Sequence, residues 1–434
     1  MQLAGGPPRI GGAATAPQRQ RAAPRRAAVA ARAEPAGDKR SKGLTDKAIT
    51  LVDGAVTEGP DLSVTVNGLR LPNPFVIGSG PPGTNYAVMK KAFDEGWGAV
   101  ICKTLSLDSS KVINVTPRYA KLLDSNREVF GWENFELISD RPLEVMLEEL
   151  ARLKAEYPGR VLIASIMEEY SRGAWEELIG RCEAVGVDAF EINFSCPHGL
   201  PERRMGMAMG QDCELMAEVC DWINAAATVP VWAKMTPNIT DITAPAAAAI
   251  DHGCEGVAAI NTIRSVMGVN LTTLRPEPSV EGYSTPGGYS YRAVKPIALE
   301  KVMSISRMLA DGGHRAAGAS LSGIGGVETG GDAAEFLLLG ADTVQVCTGV
   351  MVHGYPLVRH LAGGLQAFMS QHGFNSIDDF RGAALPYFTT HGDLVARQRA
   401  AVAERKAAKV GLANDTAWTG DGFVAEAESM VSNR

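Results

Sequence analysis

Short apolar runs, each breaking off into polar or glycine-rich sequence, recur along most of the chain. Pro74–Ile77, Ala99–Cys102, Val161–Ser165, Ala189–Ile192, Val231–Ala233, Gly256–Ile260, Ala319–Leu321 and Thr343–Val346 each read as a strand buried on both faces. Helix-compatible sequence or a long insertion follows every one. Eight such repeats predict an α/β protein, an eight-stranded parallel β/α (TIM) barrel. Ahead of them, Asp61 to Val66 alternate, Asn67-Gly68 turns and Leu69-Arg70-Leu71 returns, a hairpin expected to plug the bottom of the barrel. The expected organisation is a leader over 1–43, the barrel over 44–365 and a C-terminal helical extension over 366–434.

Composition refines this picture. The chain has 434 residues and 45% hydrophobic content, enough for one large barrel with extensions. No run approaches the ~20 apolar residues of a membrane span. Net charge is −7, but residues 1–40 carry a local +6, leaving −13 for the remainder, which argues against a nucleic-acid partner. Met1 to Ala33 hold Ala, Gly, Pro and Arg without an acid, as an organellar transit peptide does, and lack the apolar centre of a secretory signal. Chloroplast is expected, with mitochondrion the alternative. Seven cysteines without a C-x-x-C pair support neither a disulfide framework nor a zinc or iron–sulfur site, so no metal is expected.

Chemistry is expected at the carboxyl ends of the strands. Gly78 to Gly83 match G-x-G-x-x-G, yet Lys103 stands where a ribose-binding acid belongs, and Pro81-Pro82 opens a helix poorly; a glycine-lined loop against a flat ring fits better than a dinucleotide site. Gly325-Gly326 and Cys347-Thr348-Gly349 follow the last two strands, where barrels hold phosphate on backbone N–H groups, although such glycines also simply turn a chain. Lys103 and Lys234 end strands and call for an anion, an electron-rich ring or a barrel acid such as Glu191. Asn193, Asn261 and Asn134, with Glu136 in the long insertion from Ser106 to Arg160, offer donors and acceptors for a lactam edge, or serve as turns and caps. Cys196, in the loop after Asn193, is either a reactive thiol or a small buried hydrophobe.

From Asp61 to Gly349 the chain resembles the flavin barrel of the dihydropyrimidine dehydrogenases, within the dihydroorotate dehydrogenase superfamily. The matching segments include Asn73-Pro74-Phe75, Gly96-Trp97-Gly98, Lys103-Thr104-Leu105-Ser106-Leu107-Asp108, Asn134-Phe135-Glu136-Leu137-Ile138-Ser139, Asn193-Phe194-Ser195-Cys196-Pro197-His198-Gly199, Ala233-Lys234-Met235-Thr236-Pro237-Asn238, Asn261-Thr262 and Val344-Gln345-Val346-Cys347. The basic leader, Tyr387 to His391 and Trp418 to Gly422 are similar to the plant form.

The resemblance implies reduction of uracil and thymine to their 5,6-dihydro forms, the first step of pyrimidine catabolism toward β-alanine. FMN is implied as cofactor, with its phosphate at Gly325, Gly326, Cys347 and Thr348, and with Ser79, Gly80, Lys103, Thr104, Lys234, Gly287 and Gly288 around the ring. Asn134, Glu136, Asn193, Phe194, Ser195, Asn261 and Thr262 would hold the pyrimidine. Hydride would pass from the flavin to C6 and Cys196 would protonate C5. The NADPH, FAD and iron–sulfur motifs of the long animal form are absent from this sequence, so the route from NADPH to FMN is left open. A homo-oligomer is expected, and a reductase partner is allowed for. Two alternatives stand beside this reading: a dihydroorotate dehydrogenase, and a flavin-binding barrel subunit inactive without its reductase. Ser195-Cys196-Pro197-His198-Gly199 and the Asn134-x-Glu136-Leu137-Ile138 pattern favour the pyrimidine reductase.

Overall fold

In the computed structural model, the described residues are 45–196 and 205–409. The leader, the 197–204 part of the loop after Asn193 and the Trp418–Gly422 motif lie outside them.

Eight strands close a parallel barrel, in chain order around the ring. They are β1 (Phe75–Ile77), β2 (Ala99–Ile101), β3 (Val161–Ile166), β4 (Ala189–Asn193), β5 (Val231–Lys234), β6 (Gly256–Ala259), β7 (Ser320–Ile324) and β8 (Thr343–Val346). The ring closes where Val344, Gln345 and Val346 pair with Phe75, Val76 and Ile77. Each expected strand is found, with ends within a residue or two except at the seventh, which runs three residues beyond Leu321 to Ile324, because a strand covered by helices outside and side chains inside must be apolar throughout. Eight helices form the outer ring: α1 (Tyr86–Glu95), α2 (Leu143–Glu156), α3 (Arg172–Glu183), α4 (Cys213–Ala226), α5 (Thr243–Asp251), α6 (Lys295–Asp311), α7 (Gly330–Leu338) and α8 (Leu357–His372).

Local signals set the ends of these helices. Asn85 caps α1 by accepting from the Val88 N–H, and α1 stops at Gly96 with φ 103°, a left-handed conformation that glycine takes without a Cβ clash. A Thr329–Asp332 capping box opens α7. The Asn73-Pro74-Phe75 and Gly96-Trp97-Gly98 motifs meet here: Asn73 Nδ2 donates to the Gly54 and Gly96 carbonyls, and a Cβ on Gly98 would lie 2.2 Å from the Asn73 carbonyl oxygen. These motifs therefore hold the start of β1 in place.

The hairpin Val64–Val66 and Leu69–Leu71 does stopper the amino end of the barrel. Asn67 at its tip donates to the Glu255 and Gly318 carbonyls at 3.0 and 3.1 Å. Its Oδ1 accepts from Trp232 Nε1 at 2.8 Å and Ser320 Oγ at 2.6 Å. One turn residue thus ties β5, β6 and β7 together where they begin.

At the opposite end lies an antiparallel sheet that the sequence reading treats only as insertion. Its order is Ile263–Ser265, Gly287–Ser290, Val129–Asn134, Tyr119–Leu123, bringing together the insertions after β2 and β6. Beyond α8 the chain makes short turns at Ile377–Asp379 and Leu385–Tyr387, then a helix, His391–Lys409. Among the described residues no helix is long and apolar enough to cross a membrane.

Candidate active site

The carboxyl ends of the strands and the antiparallel sheet surround an open cavity. Of the residues predicted for the site, Ser79, Gly80, Lys103, Thr104, Asn134, Glu136, Asn193, Cys196, Lys234, Asn261, Thr262, Gly325, Gly326, Cys347 and Thr348 border it. Ser195 is fully buried behind the wall and Phe194 packs into the barrel core. Gly287 and Gly288 lie in the sheet, where a Cβ on Gly288 would come within 2.3 Å of Thr262 Oγ1. They allow the sheet to approach the mouth closely.

Five of these residues form one hydrogen-bonded arc across the mouth. Ser79 Oγ meets Thr104 Oγ1 at 3.2 Å, and Asn193 Nδ2 donates to Thr104 Oγ1 at 3.0 Å. Ser195 Oγ donates to Asn193 Oδ1 at 3.0 Å and accepts from Asn261 Nδ2 at 2.6 Å. The Asn261 Oδ1 accepts from the Thr262 N–H at 2.7 Å. A carboxamide nitrogen carries two N–H donors, so Asn193 and Asn261 are each fixed through one and keep the other for a ligand. Fixing them in advance lowers the ordering cost of binding.

The two lysines differ in their partners. Lys234 lies 3.3 Å from Glu191 and donates to Gln345 Oε1 at 2.9 Å, while Gln345 Nε2 donates to Glu191 Oε2 at 2.7 Å. This closed triangle at the barrel floor is the ion pair with Glu191 that a strand-end lysine allows. Lys103 instead pairs with Glu136, from the segment following the sheet strand Val129–Asn134. Glu136 also accepts from Tyr119 Oη at 2.5 Å and Arg118 Nη1 at 3.1 Å.

Backbone is laid bare where a phosphate is expected. Gly325 and Gly326 have φ of 142° and 79°, and a Cβ on Gly326 would meet the Tyr291 carbonyl oxygen at 2.8 Å. Thr348 opens the helical turn Thr348–His353, and its Oγ1 lies 3.0 Å from Ser290 Oγ. The Cys347 thiol packs so closely that a Cβ on Gly80 would lie 2.6 Å from its sulfur. Burial pushes that thiol up to about 11, against the pull of Lys234, so it stays protonated and adds no anion beside a phosphate. Glycine-lined backbone, a helical N-terminus and hydroxyls make a donor set suited to a phosphate, and two lysines bordering the cavity, Lys234 at the floor and Lys103 on the insertion side, suit an electron-rich ring.

Cys196 borders the cavity and packs with Ile138, Met167 and Met205. Its carbonyl accepts from the Met207 N–H at 3.1 Å, which anchors the far end of the loop. Pro197, His198 and Gly199 fall outside the described residues. Four aromatic residues of the cavity wall escape the sequence reading: Tyr119, Trp132, Tyr289 and Tyr291. Trp132 Nε1 is buried with no hydrogen-bond partner, a donor that a ligand could satisfy. The Asp124-Ser125-Asn126-Arg127 turn between Tyr119–Leu123 and Val129–Asn134 is a hairpin signal that could have found Tyr119 and Trp132, whereas nothing in the local sequence marks Tyr289 or Tyr291.

Comparison with known proteins agrees with this fold. The family model described as dihydroorotate dehydrogenase matches residues 61–369. The chain belongs to the dihydroorotate dehydrogenase family. It is 69% identical over 387 residues to the chloroplastic dihydropyrimidine dehydrogenase (NADP(+)) of Arabidopsis thaliana, covering 88% of this chain and 90% of the relative. It is 43% identical over 326 residues to the NAD-dependent dihydropyrimidine dehydrogenase subunit PreA of Escherichia coli, covering 75% and 77%. Identity to the catalytic subunit of dihydroorotate dehydrogenase B (NAD(+)) from Pyrococcus abyssi is 32%, over 75% of this chain and 99% of the relative. A crystal structure of the Eimeria tenella enzyme DHODH in complex with ferulenol shares the fold, with a TM-score of 0.61 at 21% identity, covering 75% and 89%.

Proposed function

We propose that this family member is a dihydropyrimidine dehydrogenase of the chloroplast, reducing uracil and thymine with NADPH by way of FMN. The observation that carries the reading is the arc Ser79–Thr104–Asn193–Ser195–Asn261. It is a neutral set of oriented donors and acceptors, the complement of an uncharged lactam ring. The name and the 69% identity of the Arabidopsis relative support the same activity, donor and compartment. In this proposal residues 1–43 are the transit leader, 44–365 the flavin barrel and 366–434 an extension, and the working protein is a homo-oligomer.

The residues fit FMN. Gly325, Gly326, Cys347 and Thr348 would hold the phosphate, with Ser79, Gly80, Lys103, Thr104 and Lys234 along the ring. Held there, FMN would supply two-electron, hydride-transfer chemistry between NADPH and C6 of the pyrimidine. Cys196 gives its thiol proton to C5, and solvent restores it, so each turnover consumes one NADPH and one proton. Asn134, Asn193 and Asn261 hold the ring edge, where fixed dipoles stabilise the charge that develops on the C4 carbonyl oxygen.

PreA is named as a subunit, which favours a second reading in which this barrel needs a reductase to receive electrons. One assay decides between them: uracil-dependent NADPH oxidation by the purified yellow protein, with and without an added flavin reductase. Turnover by the chain alone supports the first reading, and turnover only with the reductase supports the second. A protein that binds flavin but turns over dihydroorotate and not uracil overturns both.

A further inference from the structure

The charges on the cavity wall bear on which pyrimidines the site accepts, an inference that rests on the pyrimidine-reductase reading. Two lysines and two carboxylates border the cavity among the described residues, and they pair off completely, Lys234 with Glu191 and Lys103 with Glu136. The floor pair belongs to the barrel. Glu136 comes from the insertion, with its side chain only 8% exposed. Tyr119 and Arg118 hold it from the outer side, and Arg118 holds Asp140 at 2.9 Å. Lys103, Arg118, Glu136 and Asp140 together carry no net charge, and neither does Lys234 with Glu191.

We infer that Glu136 sets the charge selectivity of the site: by engaging Lys103 it admits a neutral pyrimidine and turns away one bearing a carboxylate on C6. C6 is the hydride acceptor in that reading, and Lys103 is the cavity cation on the side of the insertion. A carboxylate on that carbon needs a cation to replace its hydration. Lys103 is already taken, and the Glu136 carboxylate repels a second anion beside it. The alternative is contained in the family's own name, because dihydroorotate is the 6-carboxylate. A single carboxylate from the insertion therefore separates the two chemistries on one barrel.

The test is equilibrium binding to the flavin-loaded protein, read from the change in flavin absorbance, with three probes: uracil, orotate, and the 6-carboxamide of uracil. The carboxamide matches orotate in shape and carries no charge. Parent protein is expected to bind the carboxamide at least tenfold more tightly than orotate. Glu136→Gln is expected to raise orotate affinity relative to the carboxamide by tenfold or more, and adding Lys103→Met is expected to abolish that gain. Equal binding of orotate and carboxamide by the parent overturns the inference without any variant, since exclusion would then be by size. An unchanged ratio in Glu136→Gln overturns it as well. A parent that binds none of the three, uracil included, overturns the pyrimidine reading itself and this inference with it.

Discussion

The triangle of Lys234, Glu191 and Gln345 offers a quantitative test of the barrel floor. Glu191 and Lys234 side chains are only 1% and 5% exposed, so neither charge has water to fall back on. Lys234→Met removes the cation and leaves Glu191 with the Gln345 amide as its partner in the triangle. Removing one member of a buried pair costs about 3–5 kcal/mol, and the surviving Gln345 bond places this case near the lower end, about 3 kcal/mol. Glu191→Gln in the Lys234→Met background removes the stranded charge while keeping the side chain's shape. It should recover at least half of the loss, a coupling of roughly 1.5 kcal/mol or more in a double-mutant cycle. Urea titration followed by tryptophan fluorescence measures Lys234→Met, Glu191→Gln and the double variant. A Lys234→Met protein within about 0.5 kcal/mol of the parent, the range of an ordinary surface change, would refute the view that these groups are dry and mutually dependent.

Three further outcomes are expected. Cys196→Ala should leave flavin bound and reducible by NADPH but slow its reoxidation by uracil about 10²- to 10⁴-fold in stopped flow, with Cys196→Ser intermediate; reoxidation at the parental rate would make Cys196 a packing residue only. Gly326→Val should lower flavin affinity at least tenfold in equilibrium dialysis, because its Cβ would press on the Tyr291 carbonyl at φ 79°; full flavin content would remove the phosphate assignment. Asn67→Ala loses four hydrogen bonds at the far end of the barrel, so it should destabilise by about 2–4 kcal/mol with kcat unchanged; a selective fall in kcat would show that the hairpin reaches the mouth.

How far the sequence could be read follows from where each element gets its instructions. The barrel strands are legible because burial on both faces makes them apolar runs, and their polar stops fall where side chains must reach the mouth. Asn67-Gly68 is legible because only a few residues tolerate its turn, with φ of 48° and 81°. The antiparallel sheet is not legible in the same way. Gly287-Gly288-Tyr289-Ser290 is poor strand sequence on its own and becomes a strand by pairing with Val129–Asn134, far away in the chain. Sequence reasoning could name Glu191 as an acid for a strand-end lysine, since both stand on barrel strands. It could not pair Lys103 with Glu136, because that contact depends on how the insertion after β2 folds back over its own strand. Gly287 and Gly288, expected among the cofactor-binding residues, lie in the sheet, where the missing side chain of Gly288 lets Thr262 and Asn134 approach and that of Gly287 makes room for Glu133 and Phe135.

These two sources of site residues have different physical constraints. A residue at the end of a barrel strand is fixed by the closed hydrogen-bonded ring, so Lys103, Asn193, Lys234 and Asn261 are held at set positions around any ligand in the mouth. Changing one of them disturbs a neighbour it already bonds, as Asn193 bonds both Thr104 and Ser195. Residues from the insertions reach the ring through side-chain and sheet contacts rather than through the barrel's own ladder. Glu136 reaches the barrel through Lys103, while Asn134 pairs with Gly288 in the sheet. Such positions can change chemistry without unmaking the ring. In the proposed reading the barrel therefore supplies a floor for the cofactor and oriented amides for a pyrimidine edge. The sheet supplies Asn134 and, just after it, Glu136, whose charge is what the inferred choice between a neutral and a carboxylated pyrimidine rests on.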